Sequence, residues 1–338
     1  MQSPSTFWHK SMRWIPGVLI SLVAIFILIK VASWQDLKTA LASIKLINLI
    51  GAIVLTIISL IFRSMAWKIM LGGKTTTGKA FLTINEGYLL NNLLPFKLGE
   101  IGRAVLMGQS TGLGTLHVLS TIVIERAFDV GIAAGIIIAT LPFVIGVGWA
   151  KSVALIALAL VIVGFFILFL IASNHQKVEL WLEKVGKRQR WVNRWVMPKI
   201  GSLLNGLSIL TSPLKFLSCF GLIALSWGLW TLLYFVMLLP LVPGATFWQA
   251  AFVEGVLALG VAVPSAPAAL GVYEGAMVGG LVILGISESV GLGYAIVMHF
   301  MQFSTTGILG FWGLIREKQS LGKLFAQLQQ PQDTPVEQ

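Results

Sequence analysis

The sequence predicts an all-α polytopic membrane protein: six full transmembrane helices plus two oppositely oriented re-entrant helical hairpins, eight hydrophobic segments in all, with the hairpins related as an inverted repeat. Three observations carry this expectation. Of the 338 residues, 57% are hydrophobic and 11% charged, with a mean hydropathy of +0.88, and no soluble core accounts for that. Apolar runs of about 18 residues or more recur, as helices in lipid require, since a helix satisfies its own backbone hydrogen bonds there. Two other apolar segments are interrupted near their middles by Pro, Gly and polar residues, leaving arms too short for a hydrocarbon core that needs about 20 helical residues.

The first span covers residues 15–32; Lys10 and Arg13 precede it as in a signal peptide, but the run is long for a signal and reads as a retained helix. Residues 34–46 set Leu37, Leu41 and Ile44 at helical spacing between Asp36, Lys38 and Lys45, the pattern of a short interfacial helix. The second span, 47–71, carries Arg63 and ends at Gly72-Gly73-Lys74. The first broken segment, about residues 79–110, turns through Asn91-Asn92-Leu93-Leu94-Pro95-Phe96-Lys97-Leu98-Gly99-Glu100-Ile101-Gly102-Arg103. A third span, 116–141, carries Glu125, Arg126 and Asp129 and is closed by Pro142, and a purely apolar fourth covers 152–172. Residues 174–200 form a basic loop in which seven cations alternate with Trp181, Trp191 and Trp195. Beside membrane spans that is an interfacial cytoplasmic segment in preference to a nucleic-acid patch. The fifth span, 214–239, ends at Pro240; the second broken segment, 247–286, turns at Pro264-Ser265-Ala266-Pro267; the sixth span, 290–315, leads to a polar tail, 316–338, whose composition favours disorder.

Charge fixes the expected orientation. With the amino terminus cytoplasmic, that side receives Lys10, Arg13, Lys68, Lys74, Lys79, the basic loop, Lys215, Arg316, Lys318 and Lys323, and the outside only Lys30, Lys38, Lys45 and Lys151. Both termini are then cytoplasmic. Three full spans separate the broken segments, and three is odd, so the hairpins enter from opposite sides. Both also carry Pro-x-x-x-Gly followed by an acid: Pro95, Gly99 and Glu100, then Pro267, Gly271 and Glu274. That echo suits an inverted repeat with a binding site at the midplane.

Several chemistries are excluded or unsupported. Cys219 is the single cysteine, the four histidines lack ligand spacing, and no P-loop is present, so no metal, cofactor or nucleotide hydrolysis is expected. Gly131-x-x-x-Gly135 and Gly275-x-x-x-Gly279 are small-residue patterns that usually serve internal packing and less often a homodimer contact. His299 reads as a satisfied interior histidine.

Ten charges fall inside the predicted membrane segments: Arg63, Glu86, Lys97, Glu100, Arg103, Glu125, Arg126, Asp129, Glu254 and Glu274. Each costs about 2.5 to 3.5 kcal/mol if placed centrally and unpaired, so they must face each other, water or a polar ligand. Lys97, Glu100 and Arg103 are three apart, and Glu125 and Asp129 four apart on one helix face. Arg63, Lys97, Arg103 and Arg126 are the available cations, and spacing does not choose among them. Structural ion pairs and a headgroup site are both open at this point. Asn91 and Asn92 suit either capping of the broken helix or bonding to a ligand oxygen.

The pattern Asn92-x-x-Pro95-x-Lys97-x-Gly99-Glu100-x-x-Arg103, then Glu125-Arg126-x-x-Asp129, then Pro264-x-x-Pro267-x-x-x-Gly271-x-Tyr273-Glu274 resembles, over most of the chain, the membrane region of the lysylphosphatidylglycerol synthase/flippase family. The resemblance implies a lipid flippase of the bacterial inner membrane, with phospholipids, among them aminoacylated phosphatidylglycerol, as partners, and a separate lipid-synthesising enzyme as a further one. Lys97 stands where the family often has Arg, which keeps the charge but loses a bidentate fork. Ala268-Ala269 stand where it often has Gly-Gly. About twenty residues follow Glu317, too few for the family's aminoacyltransferase domain, so synthase activity is not expected. The rival expectations are a membrane-embedded transferase or hydrolase using Glu100, Glu125 or Asp129 as a base, and a non-transporting partner of a synthase.

Overall fold

Helices form where the apolar runs lie and stop where Gly, Pro and capping residues interrupt them. The computed structural model describes residues 42–94, 98–140, 173–188, 211–262 and 266–319 continuously, residues 156–171 in part, and residues 35, 38 and 207. The expected first span, Pro95, Lys97, Pro264, the loop beyond residue 188 and the tail from residue 320 lie outside the described residues. Among those described there is no strand.

Helix α1 (Leu46–Met70) and α6 (Pro213–Leu238) are long and apolar enough to cross a membrane. They lie against each other, joined by a 2.7 Å hydrogen bond between the Ser59 and Ser226 hydroxyls. Between them in sequence come α2 (Thr77–Leu93), α3 (Leu98–Thr111), α4 (Thr115–Thr140) and α5 (His175–Arg188). After them come α7 (Phe247–Gly260), a single 3-10 turn (Pro267–Ala269), α8 (Val272–Ile283) and α9 (Glu288–Arg316). The basic stretch expected as a loop therefore starts as a helix, with Leu180 and Trp181 exposed on it.

Local chemistry sets the boundaries. Gly72 and Gly73 end α1 with φ of 62° and 75°, a conformation open to glycine at no steric cost. Thr76 caps α2, its hydroxyl accepting from Lys79 N–H at 3.1 Å. Thr246 and Gln249 form a reciprocal capping box on α7. Gly271, at φ 79°, precedes α8, and Glu274 Oε2 accepts its N–H at 2.7 Å.

Two helix-break-helix units result, α2–α3 and α7–α8. A small cavity of about 140 Å³ is walled by Leu71 and Lys74 after α1, Leu113 and His117 around the α3–α4 turn, and Lys215 at the start of α6. The chain thus enters α2 and leaves α3 at the same end of the bundle. Lys79 Nζ is 2.8 Å from Glu317 Oε2, just past α9, so α9 finishes at that end too. Since α6 starts there, α7 and α8 attach to the opposite ends of α6 and α9. The second unit points against the first, and α2 touches the 3-10 turn where the two breaks meet. Helices α2 and α3, with 17 and 14 residues, extend roughly 25 and 21 Å at 1.5 Å per residue, short of a hydrocarbon core of about 30 Å.

The distribution of side chains is inverted relative to a soluble domain. Ile47, Leu214, Phe300 and Ile308 are each about 70% exposed or more, whereas Asn85, Glu86, Arg103 and Glu125 are buried. Only an apolar surrounding makes that favourable. Two apolar clusters, one around Trp67, Met107, Phe128 and Ile223 and one around Tyr234, Met277, Leu281 and Met298, hold the two ends together.

Close approach falls at glycines other than those in the two small-residue patterns. A Cβ at Gly135, Gly275 or Gly279 would meet none of the described residues within 4 Å. One at Gly99 would sit 2.1 Å from the Gly87 carbonyl oxygen and 2.6 Å from Asn91 Oδ1, and one at Gly310 2.4 Å from the Asn85 carbonyl oxygen. Spacing on one helix does not reveal which glycine faces a neighbour's backbone. Ala268 and Ala269 hold φ of 56° and 55°, the left-handed region that costs an L-residue roughly 1–2 kcal/mol, at the two positions where Gly-Gly was expected.

Gly99→Ala is expected to destabilise the protein by about 1–3 kcal/mol through overpacking against fixed backbone, read as a lowered thermal midpoint in detergent; an unchanged midpoint would refute the contact. Ala268→Gly is expected to stabilise by less than about 1 kcal/mol, since relieved strain is partly offset by glycine's entropy.

Candidate functional site

One carboxylate gathers three arginines. Glu125, on the inner face of α4, is 1% exposed. Its Oε1 accepts from Arg63 Nε at 3.0 Å and Nη2 at 2.8 Å, from Arg126 Nη2 at 2.6 Å and from Arg103 Nη1 at 3.2 Å. Arg103 Nη2 closes a second bond to Oε2. Helices α1, α3 and α4 are thereby tied at one point. One turn further along α4, Asp129 binds Arg63 and, at 3.1 Å, Arg126, and its Oδ1 accepts the Trp227 indole N–H from α6 at 2.9 Å. The Arg103 guanidinium lies 3.8 Å from the centroid of Trp67, a cation–π contact that shields its open face. Trp67 is itself fixed by its N–H to the Thr121 hydroxyl.

Three guanidiniums therefore meet two carboxylates within hydrogen-bond reach. Glu100, at the start of α3, stands 3.6 Å from Arg126 Nε, beyond that reach, and this nitrogen has no hydrogen-bond partner among the described residues. Arg126 is also the most open of the three, its side chain 35% exposed against 8% for Arg63 and 4% for Arg103.

Arg63, Arg126 and Asp129 face a cavity of about 310 Å³, near the lower end of the usual size for ligand pockets. Asn91, Asn92 and Leu94 from the first break and Ala266, Ala268 and Ala269 from the second border it, as do Trp227, Trp230, Tyr234, Glu254, Tyr273 and His299. Asn91 spans its own break, Oδ1 accepting Gly99 N–H at 2.8 Å; Asn92 Nδ2 reaches the Phe303 carbonyl at 3.5 Å. On the far wall His299 Nδ1 is 2.6 Å from Glu274 Oε1, and its ring stacks on Tyr273 at 4.1 Å. His299 is paired, as the sequence indicated, but it also borders the cavity.

Of the residues singled out from sequence, Arg63, Asn91, Asn92, Arg126, Asp129 and Tyr273 reach the cavity. Arg103 and Glu125 lie behind it as its brace, and Glu100 sits beside Arg126. Gly99 is buried at the α2–α3 contact. Pro267 opens the 3-10 turn, while Gly271 and Glu274 start α8. Glu274 spends both oxygens inside the protein, one on Gly271 and one on His299. Glu86 lies away from the cavity, against Gly313, with no hydrogen-bond partner for either oxygen among the described residues. Sequence reasoning left out of the site Tyr88, Trp227, Trp230, Tyr234 and Glu254. Aromatics in apolar runs look like ordinary packing, although an isolated Glu in an apolar arm was a signal for the last.

This is an all-helical membrane protein with a charged central cavity. The family model for the lysylphosphatidylglycerol synthase TM region matches residues 14–310, and the chain belongs to that family. Nothing among curated proteins or among solved structures matches it.

Glu125→Gln is expected to cost about 3–5 kcal/mol, because it leaves the buried Arg103 without a carboxylate and Arg63 with Asp129 alone. Glu100→Gln, at the more open rim, should cost less than about 1 kcal/mol. Thermal unfolding of the purified variants in detergent distinguishes the two, and equal losses would contradict the assigned roles.

Proposed function

We propose that this chain is a lipid translocase, moving a phospholipid or other polar-headgroup lipid across the bacterial cytoplasmic membrane through the central cavity. The observation that carries the reading is Arg126, the most open of three clustered arginines, on the wall of a cavity of about 310 Å³. An arginine fork matches a phosphodiester, and the Arg126 side chain is 35% exposed where it borders the cavity. Asn91 and Asn92 stand close enough to bond glycerol or sugar oxygens, and aminoacylated phosphatidylglycerol is one lipid of this class.

In this reading α2–α3 and α7–α8 are re-entrant hairpins of an inverted repeat, set among six full spans, with both termini cytoplasmic. The opposed attachment of the two units, their short arms and their meeting at the cavity support it. The cations at one end, Lys74, Lys79, Lys215, Arg316 and Lys318, mark the cytoplasmic side. Transport is favoured over lipid chemistry at Glu125, whose two oxygens are both held by arginines and which is 1% exposed, out of a substrate's reach.

Purified protein in vesicles of phosphatidylcholine with a trace of headgroup-labelled fluorescent phosphatidylglycerol should speed exchange between leaflets, read by dithionite quenching. Arg126→Ala is expected to slow exchange at least about tenfold, the loss of about 1.4 kcal/mol or more of headgroup binding, and Arg126→Lys to recover part of it. Exchange no faster than in protein-free vesicles, across anionic and aminoacylated lipids, would refute the proposal.

A further inference from the structure

Glu254 is the one cavity-facing acid of the described residues for which no cation is supplied. It sits in the middle of α7, 6% exposed, on the wall of the central cavity. Its own helix carries no other titratable residue. The titratable groups facing it from neighbouring helices are Asp129 of α4, Tyr234 of α6 and Tyr294 of α9. None is a cation. The nearest arginines on the cavity, Arg63 and Arg126, are engaged by Glu125 and Asp129.

The hydrogen bonding at Glu254 accommodates the carboxyl in either charge state. The Thr231 hydroxyl oxygen contacts Glu254 Oε2 and lies 3.1 Å from the Trp227 carbonyl. A hydroxyl has one hydrogen, and a carbonyl oxygen only accepts. Against the ionised carboxylate Thr231 donates to Glu254 Oε2; against the neutral acid Glu254 donates to Thr231, whose hydrogen then turns to the Trp227 carbonyl.

We propose that Glu254 takes up one proton with each anionic headgroup that enters the cavity, so that lipid and proton cross together. The inference rests on the translocase reading above and adds its energy source. A phosphodiester held at Arg126 and an ionised Glu254 on the same narrow cavity repel each other in a medium that screens charge poorly. Protonation removes that repulsion, and each ligand raises the other's affinity by the same factor. The balance is simple: a proton from the acidic side joins the carboxylate, the lipid carries one negative charge, and the pair moves with no net charge. On the alkaline side the carboxyl releases its proton to water and the headgroup leaves. The lipid accumulates in the leaflet facing the alkaline compartment.

The test uses the full chain in phosphatidylcholine vesicles with labelled phosphatidylglycerol, an imposed gradient of one pH unit, and valinomycin with equal potassium on both sides to hold the voltage at zero. If one proton accompanies each lipid, the label should tend toward an about tenfold excess in the alkaline-facing leaflet, the equivalent of 1.4 kcal/mol. Glu254→Gln, which is neutral at every pH, should leave the label evenly distributed. Rapid exchange by the wild type with even distribution under the gradient would overturn the symport and leave the translocase reading standing; no exchange at all would overturn both. Infrared spectra assign the group independently of transport. A protonated-carboxyl stretch should vanish in Glu254→Gln, shift in Thr231→Val, and disappear from the wild type on alkalinisation. A spectrum unchanged by both variants would exclude Glu254 as the carrier, and Thr231→Val keeps that assignment testable should Glu254→Gln not fold.

Discussion

A carboxylate placed inside an apolar helix bundle needs a counter-charge from a neighbouring helix, and Glu125 takes three. Arg63 from α1, Arg103 from α3 and Arg126 from its own helix all reach it, so the elements that build the cavity are fastened before any ligand arrives. The arrangement is costly in desolvation, and a set of apolar side chains would pack as firmly. What apolar packing would lack is a charged wall. The brace spends Arg103 and most of Arg63 on structure and leaves Arg126 at the rim, where its second contact, Asp129, is shared.

Around that brace the two breaks divide the labour. The first supplies polar groups, Asn91 and Asn92, and the second supplies backbone, with Ala268 and Ala269 in left-handed geometry beside the cavity. Between them Tyr234, Tyr273 and His299 line the far wall with polar tips on apolar bodies, a surface suited to a headgroup on one side and acyl chains on the other. Glu254 is held by a hydroxyl where its counterparts are held by arginines.

Much of this was legible from the chain because charge in oil is conspicuous. Arg63, Glu125 and Asp129 declared themselves by sitting inside long apolar runs, and the four-residue spacing of the two acids put them on one face. Which cation meets which acid was not legible, since pairing depends on the rotation of α1 and α3 about their axes. Counting spans led to the expectation of two opposed broken segments, and the described residues hold two helix-break-helix units that point against each other, yet the close contacts between them and their surroundings were not legible. Gly99 and Gly310 matter because a backbone oxygen happens to face them, while Gly135, Gly275 and Gly279, in better-looking patterns, meet nothing close among the described residues. Trp227 was hidden for a related reason: an indole in an apolar run gives no hint that its N–H is aimed at Asp129.

The contact of Gly99 with the Gly87 carbonyl, together with the Asn91 bond to the Gly99 N–H, has a mechanical consequence. With backbone against backbone there is no side chain between α2 and α3 to act as a lubricant, so the arms cannot slide past each other. Any displacement of the first break against the rest of the bundle therefore carries both arms together as one stiff piece.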